Sequence, residues 1–146
     1  MVSTLTVSST QSDRKLVFSN FNGENFDLDL TGTVQCSVSV YGYAPHSENI
    51  SEWFKQLTAE RKPWQGDMRW SSLETEFEIS ANCTSLGQVC FEVNLWLNVG
   101  AEEESQIKTF IVSELGQLEK IGREANIFSC APIPLALYRL SRWRRN

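Results

Sequence analysis

The run "QVCFEVNLWLNV", residues 88–99, puts an apolar side chain at every odd number: Val89, Phe91, Val93, Leu95, Leu97 and Val99. A period of two over that length fits a pleated strand with one buried face, and it does not fit a helix. The preceding "RWSSLETEFEISANC" repeats the pattern, with Leu73, Thr75, Phe77, Ile79, Ala81 and Cys83 on one side and Glu74, Glu76 and Glu78 on the other. With "TSLG" between them as a turn, the two runs predict an antiparallel hairpin. Parity turns Cys83 inward and Cys90 outward, so no disulfide is expected between them.

A second pair points the same way. "NFDLDL" and "TVQCSVSVYGY" alternate, with Phe26, Leu28 and Leu30 on one side of the first and Val34, Cys36, Val38 and Val40 on one side of the second. Thr31-Gly32 is the expected turn. Residues 4–8 and 14–18 are short and rich in β-formers. In "SENISEWFKQLTAERK", Ser47 or Asn49 is the expected cap, Trp53, Phe54 and Leu57 fall at helical spacing, and Pro63 stops the helix. "SELGQLEKIGREANIF" reads as a second helix capped by Ser113, with an apolar stripe through Leu115, Leu118, Ile121, Ala125 and Phe128. Between helix and strand, Gly66 permits a sharp turn, and Trp64 and Trp70 are placed to fill the gap. Runs of strands with two helices and no β-α-β alternation predict an α+β domain, a largely antiparallel sheet with the helices packed on it.

A length of 146 residues at 41% apolar suits one domain spanning 1–146, with 129–146 a basic C-terminal tail or short helix. Neither a basic, apolar leader nor a span-length apolar run occurs, so a cytoplasmic protein with no membrane partner is expected. Cys36, Cys83, Cys90 and Cys130 form no CxxC pair, and His46 is the one histidine, so neither a metal nor any other cofactor is expected. The net charge of −5 hides an asymmetry: Arg139, Arg142, Arg144 and Arg145 sit in the tail, leaving nine basic residues against 18 acidic ones before it. Such a body repels nucleic acid and attracts basic partners. The arginine tail itself reads more readily as a segment docking on the molecule's own glutamates than as a nucleic-acid contact.

The most distinctive constellation is Glu74, Glu76 and Glu78 on one strand, Glu92 on its neighbour, and Trp96 facing outward beside them. The plain reading is the solvated face of an amphipathic sheet. The functional reading is an acidic partner-binding surface anchored by Trp96. Evenly exposed carboxylates lack the environment that raises one pKa for acid catalysis, and neither a GxSxG elbow nor a glycine-rich phosphate loop is present, so no catalytic residue is assigned. A pocket under "YGYAPHSEN" using Tyr41, Tyr43 and His46, in a small-molecule-binding domain or enzyme, is the alternative, and a homodimeric structural protein is a third reading.

The segments "EWFKQL", "PWQGDMRWSSLETEFEI", "GQVCFEVNLWL" and "SELGQLEKI", spanning about residues 50–122, resemble a bacterial family of small WapI-like immunity proteins. That resemblance implies a cytoplasmic non-enzyme that binds and neutralises a cognate protein toxin domain; charge complementarity makes a basic nuclease one candidate partner, and the chain is expected to be a monomer or homodimer. It brings no catalytic residues, and "APIPLALYRLSRWRRN" lies outside it.

Overall fold

The alternating runs form eight strands in two antiparallel sheets, seen in a computed structural model that describes residues 4–43 and 48–129. The first sheet holds β1 (Leu5–Ser8), β2 (Lys15–Ser19), β3 (Asn25–Thr31) and β4 (Cys36–Tyr41) in chain order. The second holds β5 (Met68–Ser71), β6 (Phe77–Cys83), β7 (Gln88–Leu97) and β8 (Ser105–Glu114), again in chain order. Helix α1 (Ile50–Thr58) lies between the sheets in sequence, and α2 (Leu118–Ser129) follows β8 through a 3-10 turn at Leu115–Gln117. The α+β class expected from the sequence is the class observed, with the strands divided between two sheets rather than joined in one.

The inner faces of the sheets meet. Phe18 and Phe26 of the first sheet stand 5.8 and 6.4 Å from Phe77 of the second, ring centre to ring centre, and Phe26 stands 6.4 Å from Trp70. Both helices insert aromatics into the same core: Phe54 lies 5.3 Å and Phe128 6.4 Å from Phe18. These tilted and edge-on contacts are the favoured aromatic geometries, and they join sheets and helices in one apolar cluster.

Local chemistry sets the helix ends. Asn49 caps α1, its side chain accepting the Glu52 N–H at 2.9 Å, and Glu52 complements the dipole in the first turn. The helix closes at Ala59, ahead of Pro63. Where α1 meets α2, a Cβ on Gly122 would stand 2.8 Å from Thr58 Oγ1, so the glycine permits the close approach. Trp70 is buried, its indole N–H donating to the Glu48 carbonyl at 3.0 Å, and Trp64 packs half-buried against the core. Gly66 has φ of +82°, and the corner expected there is present.

Three expectations are corrected. The strand read through Leu73 and Thr75 is broken: the Ser72 N–H donates to the Phe77 carbonyl, the Ser72 hydroxyl accepts the Phe77 N–H, and Thr75 takes φ of +60°. These bonds close a β5–β6 hairpin turn that leaves Leu73 exposed. Ser113 does not cap α2. The β7–β8 ladder continues past it, with the Leu115 N–H donating to the Gly87 carbonyl, and holds Ser113 inside β8. Val34 and Val99, read as inward, sit in exposed turns at the strand ends.

Candidate binding surface on the second sheet

Even-numbered residues of β7 face away from the core, as their parity requires: Cys90, Glu92, Asn94 and Trp96 are half-buried while their odd neighbours Val89 through Leu95 are fully buried. Register then fixes what lies beside them. Glu78 of β6 is opposite Asn94, which is opposite Lys108 of β8; Ser80 is opposite Glu92, which is opposite Phe110. On the other side of β6, Arg69 of β5 is opposite Ser80.

These neighbours change the electrostatics expected of the face. Lys108 Nζ lies 2.8 Å from Glu92 Oε1, and Arg69 Nη1 lies 3.2 Å from Glu78 Oε1. The hydrogen bond from Lys108 holds the Glu92 carboxyl below the usual carboxylate range, against the opposing effect of burial and with help from the Lys108 charge, Ser80 and Arg69. The face alternates in charge rather than forming an acidic platform. Burial, reinforced by the charge of Glu92, raises the Cys90 thiol above its ordinary value, which disfavours the nucleophilic thiolate.

Of the five residues expected to bind a partner, the structure brings Glu78, Glu92 and Trp96 onto one face. Glu76 lies at its margin, half-buried, in the turn entering β6, where its carbonyl accepts the Trp96 N–H at 2.9 Å. Glu74 does not belong to the face. It occupies the β5–β6 turn, because the Ser72 bonds end the strand before it.

Phe110 is the residue that sequence reasoning missed. It is 46% exposed on the outer face of β8, with Lys108 Nζ 5.8 Å from its ring centre. The signal was available in "IKTFIV", where Phe110 takes the parity opposite to Ile107, Thr109 and Ile111. Trp96 and Phe110 thus lie on the same face as the two ion pairs.

The alternative site is only partly within the described residues. Tyr41 and Tyr43 stand 6.0 Å apart, ring centre to ring centre, and His46 lies outside. Two open grooves occur elsewhere. One of about 610 Å³ is lined by the β6–β7 turn and Glu114 to Gly116, and one of about 420 Å³ lies between the end of α1 and α2. Neither is lined by Tyr41 or Tyr43. Among the described residues, no three His, Cys, Asp or Glu side chains gather as metal ligands, and no helix is long and apolar enough to cross a membrane. The basic tail, residues 129–146 in the sequence reading, lies outside the described residues from residue 130 onward.

Comparison with known proteins gives three findings. The chain is 26% identical over 102 residues to a protein of Escherichia phage T5 named "Putative endonuclease"; the match takes in 69% of this chain and 38% of the phage protein, so this chain spans well under half of that protein's length. No solved structure matches it. A family model matches residues 14–130, which covers all but the first strand of the described fold, and the chain therefore belongs to the family described as "Family of unknown function (DUF6228)".

Proposed function

We propose that this chain is a non-enzymatic protein-binding module, immunity-like in role, that neutralises a cognate toxin domain by docking the outer face of the second sheet against it. The observation that carries the reading is the outer face of the second sheet on which Trp96 and Phe110 accompany the pairs Arg69–Glu78 and Lys108–Glu92. Aromatic anchors among charged groups are the usual composition of a binding hot spot and its rim, and alternating charge selects a partner of complementary pattern. The WapI-like resemblance of residues 50–122 supports the immunity role. A nuclease context for the target is supported by the name of the phage protein.

The test places a photo-crosslinking residue at position 96 and, as a control, at position 86 in the β6–β7 turn. A toxin domain whose activity the chain inhibits in equal proportion should crosslink at 96 only. Reversing Glu78 and Glu92 to lysine makes the face wholly cationic and should abolish binding while the fold persists by circular dichroism. Undiminished inhibition by that double variant refutes the assignment.

A second reading, that the chain itself cleaves nucleic acid, is favoured by the phage protein's name alone. Turnover of plasmid or single-stranded DNA by the purified chain with magnesium or manganese would establish it.

A further inference from the structure

Each sheet has two edge strands, and the four edges are treated differently. The ladder geometry fixes which backbone groups point outward. On β1, the Ser9 N–H bonds the Arg14 carbonyl, so odd residues face β2 and even ones face out. The outward Thr6 N–H faces the Glu124 carboxyl of α2 and helps offset the burial that raises its pKa. On β8, the outward carbonyls of Phe110 and Val112 are capped by Arg14 Nη1 at 3.1 Å and by the Thr10 N–H at 2.8 Å. Strand β5 has four residues and carries Arg69 at an outward position, both common ways of protecting an edge.

Among the described residues, strand β4 has no such protection. The Gly42 N–H bonds the Glu24 carbonyl, so even residues of β4 face β3 and the N–H and C=O groups of Ser37, Ser39 and Tyr41 point outward. Among the described residues β4 pairs with β3 alone. Its sequence "CSVSVY" contains no charge, proline or glycine to discourage pairing. Large apolar side chains flank it at both ends, Val34 at 40% and Tyr43 at 46% exposure.

We infer that β4 is a self-association edge, pairing antiparallel with β4 of a second copy of this chain about a two-fold axis through Ser39. The outward parity admits this register directly: Ser39 meets Ser39 of the second copy, and Ser37 meets Tyr41. Val38 then lies opposite Val40 on the inner face. The same register sets Tyr43 opposite position 35. A second copy is favoured over a foreign strand because the edge is uncharged and its outward parity is complementary to itself, serine meeting serine at the axis and Val38 meeting Val40. About six backbone hydrogen bonds would join the two first sheets. The inference is independent of the toxin-binding reading, since the Trp96 face belongs to the other sheet.

The experiment is sedimentation of the full chain over a range of concentrations, with amide exchange followed in parallel. The expected species has twice the 16.6 kDa chain mass. Ser39→Pro removes an outward donor without touching the β3–β4 ladder, and it should raise the dissociation constant at least about tenfold. Leu86→Ser, at a residue 96% exposed in the β6–β7 turn, should leave it unchanged. Without any variant, the amides of Ser37, Ser39 and Tyr41 should become protected as concentration rises. A chain that stays monomeric, or a dimer in which those amides exchange freely or which Ser39→Pro leaves intact, overturns the inference.

Discussion

The two sheets bury the same kind of inner face and present different outer ones. Inward they are interchangeable: Leu16, Phe18, Phe26 and Leu28 of the first sheet and Phe77, Ile79, Phe91 and Val93 of the second are all essentially inaccessible to solvent. Outward, the second sheet pairs its carboxylates with Arg69 and Lys108, whereas among the described residues Asp27 and Asp29 of the first bond neutral groups, the Asn20 amide and the Ser37 hydroxyl. The acidic surface that the sequence promised on the second sheet is better matched by the first. Parity along one strand sorts inside from outside, but the identity of the strand next door decides what an outer residue meets.

That contrast can be broken by substitutions taken in order of size. The largest effect is expected at Trp70, which joins the sheets through Phe26 and Phe77 and donates to the Glu48 carbonyl. Trp70→Ala should lower the unfolding free energy by about 3 kcal/mol or more in urea titration; a loss under about 1 kcal/mol would remove it from the core. Next are two neighbours on β7. Val93→Asn puts an unpartnered amide into the sealed inner face and should cost about 2 kcal/mol or more, while Asn94→Val on the outer face should change stability by no more than about 0.5 kcal/mol. Equal effects at 93 and 94 would contradict the facing of β7.

Gly122 and Gly116 sharpen the comparison at the helices, where one position is crowded and the other open. Gly122→Val should cost about 1–3 kcal/mol by driving α2 off Thr58, and Gly116→Ala should be close to neutral. Thermal melts of the two variants that shift together would show that α1 and α2 do not meet as described.

The smallest effect is expected at the outer ion pair. The folded-state pKa of Glu92 is lowered, so its contribution is present above the ordinary carboxylate range and is lost as pH falls through the folded value. Glu92→Gln should remove about 0.5 kcal/mol at neutral pH and flatten that part of the acid slope. An unchanged slope would mean that Lys108 does not hold the carboxylate in solution.

Much of the fold was legible because the chain writes its inner faces plainly. The odd-numbered run of β7, the alternation of β3 and the Asn49 cap each carry their own signal in consecutive residues. Other features depended on contacts distant in sequence. Nothing near Thr75 announces that Ser72 and Phe77 will bond across it, since "SSLETE" satisfies a strand period as well as a turn. Glu78 and Glu92 read as an acidic row until strand order brings Arg69 and Lys108 beside them. Phe110 was legible by parity, since Ile107, Thr109 and Ile111 take the inward face of β8 and leave it on the outer one.

The bond from Thr10 to Val112 joins residues 102 positions apart, so the seam between β1 and β8 closes only after most of the polypeptide exists. During synthesis the first sheet emerges long before the strand that seals its margin. A growing chain therefore carries two open margins in its early sheet, at β1 and at β4, through the period when β5 to β8 are still being made. Contacts of such range slow folding and lengthen exposure to misassembly. A ribosome-held chain stopped before β8 should accordingly be more prone to aggregation, and more readily bound by chaperones, than one stopped after it.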